Sequence, residues 1–494
     1  MWRLIVAASA LVLALLAALI GYRTMTFAAP AAAEAVAAPD LRGFAVDADA
    51  AAAHLAQAVR FRTVSISGAA TDDPGQFKQF HQWLATTYPA FYAAAELEEV
   101  GGGSLMFTWT GSDPAQPPML LLAHQDVVPA PPDTRAEWRV DPFSGEISGG
   151  AVWGRGAIDD KGSLIGLLEA ADLLARQGAH PKRTIIFAFG HDEELGGEQG
   201  ASAMAALLHQ RGIRAWFALD EGLAAVAEHP LTGGPAALIG ISEKGSGTLR
   251  IIARGEPGHS SMPPPQTAVS TLALAVTRVH DMPLDKNISQ GGPAYDMMRA
   301  LAPHMSFTNR MALANEWLFG PLLRARLAGN RPAQALLGTT NAPTVINGGV
   351  RPNVLPGEAT AYVNLRIHPR DRAADLLARA RASLAGLDGV TVDWADTPRE
   401  ASPVSSVTAS SYALIASLSR ASLPDAPVAP GLVLAGTDSR LYSDVAENVY
   451  RFQPILLTTD DIETIHGVNE HLSIENLERM IRFYTGLMQA GAMQ

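Results

Sequence analysis

Four stretches of the chain place histidine and carboxylate side chains at short spacing: His124-Gln125-Asp126, Ile158-Asp159-Asp160-Lys161-Gly162, His191-Asp192-Glu193-Glu194 and Asp220-Glu221-Gly222. Imidazole nitrogen and carboxylate oxygen are ordinary donors to zinc, and a carboxylate beside a reacting water can also serve as general base. Glycines at 154, 156 and 162 permit tight turns around Asp159, so its two oxygens could face two cations at once. Closely spaced cations need such a bridging anion. The competing role for Asp159 or Asp160 is to cap the helix that starts near Ser163. In His124-Gln125-Asp126, period-two alternation puts the histidine and the aspartate on one strand face, where a carboxylate orients a ligand histidine. With no cysteine in the chain, thiolate catalysis and cysteine-type zinc sites are excluded, and any metal must sit on His, Asp and Glu.

The elements that must position these groups follow from the hydrophobic pattern. Pro118–Ala123, Arg183–Phe189 and Arg214–Leu219 are short continuous apolar runs, as expected of buried parallel strands. Each ends in the polar groups just named, at the carboxyl end where α/β proteins place their sites. Ser163–Gln177 has helical spacing and stops at Gly178. Helical patterns also cover Val46–Arg60, Gln76–Thr87, Thr267–His280, Asp371–Ala385 and Ser473–Gln489. Pro235–Arg254 reads as a hairpin turning near Glu243-Lys244-Gly245. In Glu358–His368, Val363, Leu365 and Ile367 share one strand face, while Asn364 and Arg366 lie on the other. Arg366 could clamp a carboxylate bidentately or be an exposed sheet charge. His259, in Gly258-His259-Ser260-Ser261, and His466, in Ile465-His466-Gly467, read locally as loop or capping residues. Residues from about Met282 to Thr340 are mixed in pattern and suggest no chemistry.

Whole-chain properties narrow the class. With 494 residues, 48% of them hydrophobic, the chain can bury two or three sizeable cores. A net charge of −12 without basic clusters argues against a nucleic-acid partner. Leu4–Gly21 is apolar or small throughout and flanked by Arg3 and Arg23. It reads as a signal-peptide core or a membrane anchor near the lower length limit of roughly 18 residues. Small residues Ala28, Ala29, Ala31 and Ala33 offer cleavage sites, and either reading exports the rest of the chain to a membrane-anchored, periplasmic or extracellular location. Pro30–Pro39 is an Ala-rich linker.

Taken in order, these stretches resemble the dinuclear zinc exopeptidase and aminoacylase family of carboxypeptidase G, carnosinase and acetylornithine deacetylase. The matching pieces are His124-Gln125-Asp126, Gly154–Gly162, Asp192-Glu193-Glu194, Asp220-Glu221-Gly222, Gly258–Ser261 and Ile465-His466-Gly467, spread over residues 45–490. The wording around Gly190–Glu194 and the N-terminal apolar segment look most like the branch of carboxypeptidase S and the N-fatty-acyl-amino-acid hydrolase/synthases.

The resemblance implies a zinc-dependent amidohydrolase that cleaves N-acyl amino acids or short peptides with a free carboxylate, in a reversible reaction. It implies two Zn2+ per subunit, with cobalt and manganese as alternatives. His124, Asp159 and Asp220 would hold one ion; Asp159, Glu194 and His466 would hold the other. Asp126 would orient His124, Glu193 would be general base and acid, and His259 would stabilise the oxyanion from a partner subunit of a homodimer. Arg366 would bind the substrate carboxylate, with Asn353, Gly436 and Thr437 nearby. A cis peptide after Asp159 is also implied. The implied fold is α/β: a catalytic zinc domain with a mixed sheet flanked by helices, and an inserted α+β lid and dimerisation domain. The expected division is 1–24 signal peptide or membrane anchor, 25–44 linker, 45–240 and 396–494 catalytic domain, and 241–395 lid. A membrane-tethered binding protein that has kept the fold without catalysis is the alternative from another class. It would be favoured by loss of Glu193 or a ligand, and all are present.

Overall fold

In the computed structural model, which describes residues 1–28, 39–66, 73–286, 288 and 291–493, the three apolar runs become adjacent parallel strands. The Ala-rich linker lies almost wholly outside the described residues. The chain enters the large sheet through β1 (Glu96–Val100), β2 (Ser104–Trp109), β3 (Met119–His124), β4 (Ile185–Gly190), β5 (Phe217–Asp220), β6 (Ala225–His229) and β7 (Gly234–Glu243). It then builds a second sheet from β8 (Gly245–Arg254), β9 (Thr340–Gly348), β10 (Glu358–Ile367) and β11 (Val390–Trp394). It returns to the first with β12 (Val428–Val433), β13 (Val449–Arg451) and β14 (Leu456–Leu457). The large sheet has the order β1-β2-β4-β3-β5-β13-β7-β6-β14, with β12 beside β7; the second has the order β9-β10-β8-β11.

Both faces of the large sheet are covered, which is why its central strands are apolar at every position. Met119, Leu121 and Ala123 of β3 join one core; Leu120 and Leu122 join another on the opposite face. The helices that matter here are α1 (Trp2–Thr26), α2 (Ala48–Arg60), α3 (Lys161–Arg176), α4 (Ala201–Gln210), α5 (Ala268–His280), α6 (Pro293–Leu301), α7 (Phe307–Ala314), α8 (Glu316–Leu327), α9 (Arg331–Leu337), α10 (Ala373–Ser383), α11 (Ser410–Ser422) and α12 (Ile474–Ala492). α2, α3, α11 and α12 pack on the first face through residues such as Leu55, Leu168, Leu414 and Leu487, and α4 covers the other through Met204 and Leu208. The second sheet is covered by α5 and α10 in a separate core around Leu249, Leu272, Val363 and Leu376.

The hairpin expected over Pro235–Arg254 does not form. β7 pairs with β6, β12 and β13, whereas β8 pairs with β10 and β11, so the chain changes sheets at Lys244. A period-two pattern reports a strand but not its partner, and the buried run in β7 belongs to a strand enclosed by neighbours on both sides. The strand-like run Val449–Leu457 forms two strands separated at Phe452–Ile455. The stretch without assigned chemistry folds into α6 to α9, with α6 packed on β12 and a core shared with Ala236 and Ala429 of the large sheet.

Candidate active site

Asp159 sits at the centre of the site with its two oxygens turned to different partners. Its Oδ1 lies 2.9 Å from His124 Nε2 and its Oδ2 lies 3.0 Å from His466 Nε2. On the first side Glu221 Oε1 is 3.8 Å from His124 Nε2; on the second Glu194 Oε1 is 3.2 Å from His466 Nε2. Among the described residues, His124–Asp159–Glu221, Asp159–Glu194–His466 and His124–Glu193–Glu194 each bring their donor atoms within 4.8 Å of one another.

The fold explains each placement. His124 ends β3, Asp220 ends β5 with Glu221 directly after it, and Glu193 and Glu194 follow β4, so three parallel strands deliver their carboxyl ends to one place. Asp126 ties two of these together. Its Oδ1 accepts the Glu193 N–H at 3.1 Å and its Oδ2 accepts the Glu194 N–H at 3.2 Å, while Oδ1 lies 3.4 Å from His124 Nδ1. The neighbouring Asp192 turns inward instead, accepting from the Gln199 and Gly200 N–H groups, which leaves Glu193 and Glu194 to face the cluster. Gly156, at φ +85°, shapes the turn before Asp159; a Cβ there would meet Val127 Cγ1 at 2.6 Å. The Asp159–Asp160 peptide is cis. Asp160 points away from the cluster and accepts from Gln453 Nε2 at 2.9 Å and from the His124 N–H at 3.3 Å.

Electrostatics mark the site as built for cations. Burial, together with mutual repulsion, raises the pKa of Glu193, Glu194 and Glu221 above the ordinary carboxylate range. Asp159 is buried too, but hydrogen bonds to His124 and His466 outweigh burial and hold its pKa low. Burial opposes the charge on His124, yet hydrogen bonds to Asp126 and Asp159 raise its pKa well above the usual value. Four carboxylates thus converge on two histidines, a charge balance that a bound cation completes. The donors are all nitrogen and oxygen, which suits zinc and equally cobalt or manganese.

The other expected residues fall as follows. Asp220, expected as a ligand, instead accepts the Ser439 N–H at 2.9 Å, and Glu221 takes the place beside His124 and Asp159. Successive residues at a strand end point to opposite sides, so one of this acidic pair serves the neighbouring loop. Thr437 donates from its N–H and Oγ1 to Glu243, which is fully buried against Arg451 in the large sheet; Gly436 precedes it beside Arg440. Arg366 is exposed on β10, directly across from Ser246 of β8. His259 is exposed in a short ribbon with Val354; among the described residues its ring meets Ser261 and no member of the carboxylate cluster. Asn353 accompanies it there, its carbonyl accepting the Ser260 N–H at 3.3 Å.

One supporting residue carries no local signal in the sequence. Glu470 is fully buried and accepts from Arg155 Nη1 at 2.6 Å, from the Ile158 N–H at 2.9 Å and from the Asp159 N–H at 3.2 Å. Arg155 also donates to the Gly467 carbonyl at 2.8 Å, so this pair fixes the Asp159 turn to the His466 loop. Glu470→Ala should therefore cost about 3–5 kcal/mol, because Arg155 is left charged and buried without its partner. Urea unfolding of wild type and variant measures this; a loss below about 1 kcal/mol would show that the pair does not hold the turn.

Residues 120–490 match the model of peptidase family M20/M25/M40. The chain is 36% identical over 445 residues to the N-fatty-acyl-amino acid synthase/hydrolase PM20D1 of Xenopus tropicalis, covering 87% of this chain and 84% of the relative. It is 35% identical over 443 residues to the probable carboxypeptidase S-like 2 of Dictyostelium discoideum, covering 89% and 84%. Among solved structures, the M20 family metallo-carboxypeptidase Sso-CP2 of Sulfolobus solfataricus superposes with a TM-score of 0.61 at 17% identity, over 89% of this chain and 98% of that one.

Proposed function

The chain belongs to peptidase family M20/M25/M40 and is a metal-dependent hydrolase of amide bonds, and on that premise we propose that it cleaves N-acyl amino acids or short peptides ending in a free carboxylate. The observation that carries the reading is the division of Asp159, one oxygen towards His124 and Glu221 and the other towards His466 and Glu194. Two zinc ions per subunit fit that division: His124, Asp159 and Glu221 would hold one, and Asp159, Glu194 and His466 the other. When bound, they supply Lewis-acid polarisation of the scissile carbonyl and a lowered pKa for the attacking water.

The chain's own residues do the rest. Glu193 takes a proton from the attacking water and later delivers it to the leaving nitrogen, a role helped by a pKa already raised by burial. Asp126 positions Glu193 through its backbone N–H and keeps the His124 ring in place. Arg366 holds the substrate carboxylate with paired N–H donors, and Thr437 and Gly436 shape the pocket wall. His259 supplies the oxyanion contact to a partner subunit's site, a reading supported by its exposure and by a ring that, among the described residues, bonds to Ser261 and to no member of the cluster. By microscopic reversibility, condensation of acid and amino acid uses the same groups. In this reading residues 45–240 and 396–494 form the catalytic domain, 241–395 form the lid, and the protein is an exported homodimer anchored by α1.

The test is a panel offered to the purified full-length chain with zinc: N-acetyl, N-lauroyl and N-oleoyl amino acids beside Gly-Leu and carbobenzoxy-Gly-Leu. Turnover of the long-chain conjugates assigns an acyl-amino-acid hydrolase, and turnover of the peptides assigns a carboxypeptidase or dipeptidase. No turnover of any member, with metal bound, would refute the proposal. On the best substrate Arg366→Ala should raise KM at least tenfold with a smaller change in kcat, since a charge-assisted bidentate contact contributes about 1.5–3 kcal/mol. An unchanged KM removes Arg366 from the pocket.

A further inference from the structure

We propose that α7 and α8 form a membrane-contact surface, seated in the headgroup layer of a phospholipid bilayer beside the point where α1 leaves it. The proposal rests on the reading of α1 as a retained anchor and adds a second, peripheral contact to it.

α1 lies outside the fold. Its most apolar window has a mean hydropathy of 2.8 and no residue of that window is buried by the rest of the protein. Its last turns, by contrast, are docked. Arg23 Nε donates to the Ala314 carbonyl at 3.1 Å, and Arg310 Nη2 donates to the Met25 carbonyl at 2.8 Å. Asn315 Nδ2 reaches Thr24 Oγ1 at 3.2 Å and the Ile20 carbonyl at 3.4 Å, and both Thr24 and Asn315 are fully buried. Beyond the helix, Arg299 Nε donates to the Ala28 carbonyl at 2.7 Å, and the Phe27 ring packs edge-on against Tyr295 at 6.2 Å. These contacts fix where the bilayer must end. Ile20 belongs to the apolar run Leu4–Gly21, so Asn315, at the junction of α7 and α8, stands at the level of the span's last turn.

The residues that follow Asn315 are apolar and face outward. Trp317 is 53% exposed, Leu318 42%, Leu322 66%, and Phe307 at the start of α7 is 62% exposed. Leu318 and Leu322 are four residues apart and share one side of α8, with Trp317 beside them. Trp317 lies within about one helical turn of Asn315, which puts it at the depth where Trp collects in membrane proteins. The end of α8 carries Arg324 and Arg326, both exposed, where lipid phosphates would meet them. An apolar cluster of this kind facing water is an aggregation liability for a soluble surface, and seating it in a bilayer interface, where Trp collects, removes that liability. Its continuity with α1 identifies the bilayer as what covers it.

The chain has no cysteine, so single labels can be placed on the full-length protein without background. Leu318→Cys and Leu322→Cys would be labelled with an environment-sensitive fluorophore and reconstituted into phosphatidylcholine/phosphatidylglycerol vesicles. Val12→Cys in α1 and Asp388→Cys, on an exposed loop after α10, serve as references. Turnover of the best panel substrate by each variant confirms folding. The expected result is that lipids carrying a nitroxide high on the acyl chain quench positions 318 and 322 at least threefold more than 388. If Val12→Cys is quenched while 318 and 322 behave like 388, the anchor stands and the surface contact is refuted. If 318 and 322 are shielded from an aqueous quencher but not reached by the lipid nitroxide, a second copy of the chain covers them and the proposal fails. If Val12→Cys is also unquenched, the anchor reading has failed and takes the proposal with it.

Discussion

Glu193→Gln should lower kcat by about 10²–10⁴-fold while keeping its full metal content, because only the capacity to accept and then release a proton is removed. The amide has nearly the size and shape of the carboxylate, so the turn held by Asp126 through the Glu193 and Glu194 N–H groups need not move. The comparison is informative because Glu193 stands near two roles. Its carboxylate lies within reach of His124 and Glu194, as a ligand would, yet among the described residues it makes no ion pair with either histidine, in contrast to Asp159, Glu194 and Glu221. Metal analysis and steady-state kinetics on the same preparation separate the two. A variant that loses one metal equivalent along with activity would make Glu193 a ligand, and one that keeps a near wild-type rate would leave the proton transfer to another group.

Much of this site is legible before any coordinates because strand ends advertise themselves. An apolar run of about six residues that gives way to His124, to His191-Asp192-Glu193-Glu194 or to Asp220 states both that a buried parallel strand is present and that polar groups crown it. What alternation does not state is which of two adjacent acids turns inward. At Asp220-Glu221 the strand's last residue bonds to the Ser439 N–H of a loop more than two hundred residues away, and that loop's position is a tertiary fact. The same limit hides Glu470 and Gln453. Glu470 reads as an ordinary acid in a polar loop, and its burial against Arg155 exists only once the two ends of the domain meet. Gln453 donates to the Ile158 carbonyl, Asp160 and Ser163 from the break between β13 and β14, a break hidden inside a run that reads as one strand. The mistaken hairpin at Lys244 has the same origin: periodicity records the strand and is silent about its neighbour. The helices α7 and α8 evade reading for a different reason. Their apolar residues divide between a core, a docking surface for α1 and the outward face of α8, so no single amphipathic stripe emerges.

Asp159→Ala should be the most damaging single substitution for metal binding, because it removes a donor from both halves of the site. The wild-type chain is expected to hold two equivalents of zinc after dialysis and the variant to approach none, with turnover below detection. Removing Glu221 or Glu194 instead strips one half only, so each of those variants should retain close to one equivalent. Stability supplies an independent readout. An ion that binds the folded chain at about a thousand times its Kd stabilises it by about 4 kcal/mol, so zinc should raise the wild-type melting temperature and a chelator should lower it. In Asp159→Ala the two melting curves should nearly coincide. The metal-free variant should itself be less stable than metal-free wild type, since the buried His124 and the His466 ring lose the carboxylate that pairs with both. A variant that still binds two equivalents and still responds to chelator would show that the halves are independent, and the bridge assigned to Asp159 would be wrong.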